Sequence, residues 1–247
     1  MRAFRKLLKN ELRLSIRDMN MAVFAIIMPV VVLVILGIIY GTKPAAADVS
    51  YTFLEQSFGA VSAISICAGG LMGLPIVVAD YRERKILKRF QVTPVSPVLL
   101  LGVELTIYIC YAIVSMALLF VVAVLFWDFH MHGSFIVFLG SWFLTMISTL
   151  SIGMMVGGIA KNAKTASVIA SALYFPMLIF SGATLPFEVM PEIMQKIVIL
   201  FPLTQGIELM KTSLLGLPVA HAWIPILVMI AVTFLCSGIA VKYFRWE

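Results

Sequence analysis

The sequence predicts an all-α membrane protein with six transmembrane helices. Three observations carry that prediction. Of 247 residues, 62% are hydrophobic and only 12% are charged, against roughly 45–50% apolar and about 25% charged in a soluble domain. The apolar residues gather into six runs, 21–40, 58–79, 99–126, 134–160, 166–183 and 223–241, each close to the ~20 residues that a bilayer core asks of a helix. The cations between the runs are unevenly shared. Fifteen Lys and Arg fall in the N-terminal segment, the 80–97 and 161–165 gaps and the tail, and three (Lys43, Lys196, Lys211) fall in the others. The positive-inside rule then places both termini and the 80–97 gap in the cytoplasm, as an even number of spans requires.

The first twenty residues read as an interfacial helix. Phe4, Leu7, Leu8, Leu12, Ile16 and Met19 recur at helical spacing, with Arg2, Arg5, Lys6, Lys9, Arg13 and Arg17 around them, the pattern of a helix lying on the membrane surface. A secretory leader with a cleavage site at Ala45-Ala46-Ala47 is the alternative, but the 21–40 run is too long for a leader's apolar region. The net charge of +6 lies beside apolar runs, which suits anionic head groups and topology control rather than nucleic acid. Cys67, Cys110 and Cys236 all lie inside apolar runs and read as small hydrophobes. Pro29 and Pro176 sit within runs, where neighbouring helices can compensate for the missing backbone bond.

The gap between the second and third runs is the first unusual segment. Arg82, Arg84, Lys85, Lys88 and Arg89 are opposed only by Asp80 and Glu83. As a helix over 81–90 it would set Ile86, Leu87 and Phe90 on one side and most cations on the other. Such an elbow lies at the interface or protrudes into the cytoplasm, where it anchors the protein or is pushed by a soluble partner. The second unusual segment is 184–222, punctuated by Pro186, Pro191, Pro202 and Pro218. Ile193, Met194, Ile197, Val198 and Phe201 suggest a short helix beginning near Pro191, and Ile207, Met210 and Leu214 a second, with Thr204 as N-cap and Gly216 as stop. Neither can span, so both are expected to dip into the outer leaflet; an ordinary external loop is the alternative.

Catalytic patterns are missing from the sequence. It contains neither a G-x-x-x-x-G-K-[ST] phosphate loop nor H-E-x-x-H nor paired-cysteine zinc spacing. His130 and His132 beside Asp128 read as interfacial polar residues at a span end rather than as metal ligands. Glu104 is the main ionisable residue within a run, and is expected to pair with Arg82, Arg84 or a lipid amine rather than a substrate. So few intramembrane charges argue against an ion-coupled carrier. Gly69, Gly70 and Gly73, and the pair Gly153 and Gly157, permit close helix contact within one chain or between two.

The segment Tyr81-Arg-Glu-Arg-Lys-Ile-Leu-Lys-Arg-Phe-Gln-Val-Thr-Pro-Val-Ser96 resembles the E-R-E-x-G-x-L-x-x-L-x-x-T-P-V-S motif of the ABC-2 type permeases. Phe180-Ser-Gly-Ala-Thr-Leu-Pro186, then Met190-Pro191 and Phe201-Pro-Leu203, are similar to that family's pattern before its last span. The likeness extends over nearly all of 1–247, as one transmembrane domain. It implies the membrane subunit of a bacterial exporter in the cytoplasmic membrane. A separate ATPase would bind ATP and Mg, and a second, identical or similar, permease would complete the pathway. Arg82, Glu83, Arg84, Lys85, Leu87 and Phe90 would form the coupling helix docked on the ATPase. Gly182, Pro186, Pro191 and Pro202 would shape an external re-entrant region. The cargo would be a small amphipathic, drug-like, peptide or lipid-linked compound. Lys85 stands where the family has glycine, which implies a more continuous helix there. A non-transporting membrane enzyme or an immunity-type binding protein is the competing reading.

Overall fold

Apolar runs of this length must satisfy every backbone group internally, which makes them helices. The computed structural model describes residues 2–17, 21, 23–45, 49–87, 97–181, 191–218 and 223–243. Among these are α1 (Arg2–Arg17), α2 (Val23–Tyr40), α3 (Phe53–Glu83), α4 (Pro97–Trp127), α5 (Phe135–Ile159), α6 (Ala163–Phe180), α7 (Glu192–Val198), α8 (Pro202–Leu215) and α9 (Trp223–Tyr243). α2 to α6 and α9 are six helices long and apolar enough to cross a membrane. The expected spans are all present, with boundary corrections at two. The second span covers 53–83 rather than 58–79, because Glu55 and Asp80 bound the apolar run while the helix continues past both. The fifth covers 163–180 rather than 166–183.

Two of the six spans form the interior. The apolar window of α3 is 83% buried and that of α5 is 56%, against 28% or less for α2, α4, α6 and α9. The two pack backbone to backbone. A Cβ on Gly153 would overlap the carbonyl oxygen of Gly70, and one on Gly157 would lie 2.8 Å from Val78 Cβ. The glycine pair thus serves packing inside one chain. α3 passes this contact through a π-helical turn, Ala68–Gly73.

α1 turns most of its expected apolar face to the protein. Phe4, Leu7, Leu8 and Leu12 pack against the protein core, with α1 lying along α4. Ile16, assigned by spacing to the apolar face, is exposed beside Leu14; Met19 lies outside the described residues. α8 is almost wholly buried against α3, α5 and α9. Its Gly206 sits against Thr145, ten residues into α5 and so about 15 Å from that helix's start. Its first turn begins at Phe201 with Pro202 at the first helical position, so Thr204 lies inside the helix and is not the cap. Gly216 ends it in the left-handed conformation, φ 68°, as expected. α7 begins at the expected Pro191. Gln205 Nε2 donates to Ile199 O at 2.6 Å, joining the end of α7 to α8.

Candidate functional site: the elbow after α3

α3 does not run on through 81–90. It stops at Glu83, Arg84 N–H bonds back to Asp80 O at 2.9 Å, and Lys85 turns into the left-handed region at φ 55°. The chain bends at the position where the family motif carries glycine, although lysine occupies it. The expected continuous helix is corrected accordingly. A lysine held there is strained by roughly 1–2 kcal/mol, so packing must impose the bend. Leu87, just beyond it, is 1% exposed within this chain's own core, and Ile86 packs against that core.

The expected coupling residues therefore divide. Arg82 does not face outward. It is buried, and Nη1 donates to Gly157 O, Gly158 O and Ala160 O at 3.1, 3.0 and 2.6 Å. Those carbonyls end α5, where a helix leaves acceptors unpaired and carries partial negative charge. Leu87 is likewise turned inward. Within this chain both Arg82 and Leu87 serve internal packing. Glu83 Oε2 accepts from Ala163 N–H at 3.0 Å, at the first turn of α6, whose N-cap Asn162 also accepts from Thr165 N–H at 2.8 Å. The consecutive residues Arg82 and Glu83 thus hold the end of α5 and the start of α6. Glu83, Arg84 and Lys85 remain exposed, with Arg84 paired to Asp80 at 2.8 Å. Phe90 lies outside the described residues.

Tyr81 joins two further elements. Its hydroxyl lies 2.9 Å from Glu11 Oε2 on α1 and 2.9 Å from Glu104 Oε1 on α4. Of the partners expected for Glu104, which were Arg82, Arg84 or a lipid amine, the two arginines are occupied elsewhere, and within this chain it meets Tyr81. Tyr81, Arg82 and Glu83 therefore tie one helix end to α1, α4, α5 and α6.

The opposite end of α3 holds a group that pattern reading passed over. Thr52 and Glu55 form a capping box: Thr52 N–H donates to Glu55 Oε2 at 2.7 Å and Glu55 N–H to Thr52 Oγ1 at 3.2 Å. The buried carboxylate also accepts from His130 N–H at 3.1 Å, with His132 Nε2 at 3.3 Å. Gly133 N–H then donates to Leu214 O at 2.8 Å, joining the same loop to α8. The spacing Thr52-x-x-Glu55 was the available signal. Of the expected external set, Pro191 and Pro202 start α7 and α8, while Gly182 and Pro186 lie outside the described residues.

The family model for the ABC-2 type transporter matches residues 2–215. The chain is 26% identical over 202 residues to "Probable multidrug ABC transporter permease YbhS" of Escherichia coli K12, covering 81% of this chain and 50% of that one. It is 32% identical over 97 residues to Nodulation protein J of Rhizobium leguminosarum bv. viciae, 38% of each chain. It is 28% identical over 115 residues to the inner membrane transport permease YhhJ of E. coli K12, covering 46% of this chain and 31% of that one. It spans about half the length, or less, of these relatives. With six membrane-length helices and a family match over most of its length, the chain belongs to the ABC-2 type transporters and is a multi-pass membrane component of a transport system.

Proposed function

We propose that the chain is the permease subunit of a bacterial exporter, driven by a separate ATPase that presses on the elbow. The observation that carries this reading is the division of labour at 81–87. Glu83, Arg84 and Lys85 are exposed on a sharp turn, while Tyr81, Arg82 and Glu83 bond to four other helices. A load placed on that turn passes directly to α1, α4, α5 and α6. Phe90 would add an apolar anchor. The elbow faces the cytoplasm, with both termini, in the bacterial cytoplasmic membrane. ATP and Mg belong to the ATPase. A second copy, or a similar permease, covers part of the exposed faces of α2, α6 and α9. α7 and α8 form the re-entrant outer region; Gly206 halfway along α5 supports that depth. The cargo is a small amphipathic, drug-like, peptide or lipid-linked compound, a reading supported by the multidrug name of one relative and by the scarcity of charge in the spans.

The test is co-purification with the ATPase and measurement of its stimulation. Glu83→Ala with Arg84→Ala should insert normally and lose most stimulation; full stimulation by the inserted double variant defeats the reading. Cysteine labelling should reach a Lys85→Cys variant from inside and a Glu192→Cys variant from outside.

A further inference from the structure

Tyr81 Oη lies 2.9 Å from Glu11 Oε2 and 2.9 Å from Glu104 Oε1. A phenol carries one hydrogen, and an ionised carboxylate has none to give. Both contacts are hydrogen bonds only when one carboxyl is protonated and donates to the phenol oxygen while the phenol donates to the other. We propose that Glu11, Tyr81 and Glu104 share one proton and form a pH-sensitive clamp between the N-terminal helix and the elbow. The functional part of this inference rests on the elbow's role as the receiver of force.

The surroundings favour a proton over a neutralising cation. On α1, Glu11 shares its inward side with Leu7, Leu8, Leu12 and Ser15. On α3, Asp80 is paired with Arg84, Arg82 is turned to α5, and Glu83 is turned to α6. On α4, Tyr108 packs on Gly69 and Gly73, and Tyr111 Oη meets Ser15 Oγ at 2.7 Å. Met21 covers Gly73, and α2 contains no ionisable residue before Tyr40. Among the described residues the ion pairs are those of Arg84, His130 and His132, none of which involves Glu11 or Glu104. Lys88 and Arg89 lie outside the described residues.

The sign follows from the count of hydrogens. With the proton present, α1 is bonded to α3 and α4 through Tyr81. As pH rises and the proton leaves, one bond is lost and two like charges face each other across a single oxygen. α1 is the element free to yield, because it packs on one side only, and the Ser15–Tyr111 bond sets the pivot. The clamp is closed at low pH and opens as pH rises.

The full chain in lipid nanodiscs, with nitroxides on Asn10→Cys and Lys85→Cys and the native cysteines replaced, reports the α1–elbow distance from about pH 5 to about pH 9. The protein with both carboxyls intact should show the short distance at acid pH and a growing longer population as pH rises. Glu104→Gln supplies a donor that does not titrate and should hold the short distance throughout, as should Glu11→Gln. A distance that ignores pH overturns the clamp. So does an equal shift in the double glutamine variant, since the titrating group would then lie elsewhere. Infrared difference spectra give a second readout. A protonated-carboxyl band at acid pH, lost in the double variant, supports the clamp, and its absence from the intact protein overturns it. A pH-dependent distance together with full ATPase stimulation by the Glu83→Ala, Arg84→Ala protein would retain the clamp and sink the force-receiving role.

Discussion

The two ends of α3 solve one problem with opposite charges. At its start, Glu55 collects backbone N–H groups from Thr52 and His130. At its end, Arg82 collects three carbonyls from the close of α5. A carboxylate near a helix N-terminus and a cation at a helix C-terminus each complement the local dipole. The reach differs. Glu55 secures one loop, which is in turn held to α8 through Gly133 and Leu214. Arg82 and its neighbours Tyr81 and Glu83 reach four helices and leave an exposed turn beside them. A buried charge can therefore close a single loop at one end of a helix and gather four helices beside an exposed turn at the other.

Substitutions at four positions would break or sharpen this contrast. Gly153→Leu should have the largest effect, because it separates the two interior helices on which both ends depend. A cost above about 3 kcal/mol is expected from overpacking against backbone, read as loss of monodisperse protein on size exclusion. Arg82→Ala should cost about 3 kcal/mol by leaving buried carbonyls unpaired and should also remove ATPase stimulation. Arg82→Lys should recover less than half of both, since its ammonium ends one bond short of the Nη1 position that meets the three carbonyls. Glu55→Ala should cost about 2 kcal/mol in thermal unfolding while stimulation per folded molecule holds. Equal loss of stimulation from Glu55→Ala and Arg82→Ala would erase the distinction between the ends. Lys85→Gly should have the smallest effect, a gain of up to about 1 kcal/mol by relieving the left-handed φ, less the added freedom of the unfolded chain.

The six spans were legible because length and apolarity alone demand them, and the Pro191, Pro202 and Gly216 signals marked α7 and α8 through local backbone chemistry. The ends of α3 were less legible. A charged residue interrupts an apolar run whether or not the helix stops, so Glu55 and Arg82 both looked like boundaries. The direction of Arg82 was hidden because its acceptors lie some 75 residues away in sequence. Of the partners expected for Glu104, Arg82 and Arg84 are committed elsewhere by the fold, and within this chain the carboxyl meets Tyr81. Thr52-x-x-Glu55 was readable as a cap but was masked by its place in a gap counted for charge. The bend at Lys85 is the instructive failure. Residue preference argued for continuity, and burial of Leu87 two positions later decided otherwise.

The meeting of Gly70 and Gly153 carries a consequence for motion. No side chains lie between the backbones there, so α3 and α5 have no lubricating layer on which to slide or roll. They behave as one rigid plank. α9 lies along α5 and moves with it, so a change of shape would fall first to α2 and α6, whose windows are only 22% and 17% buried.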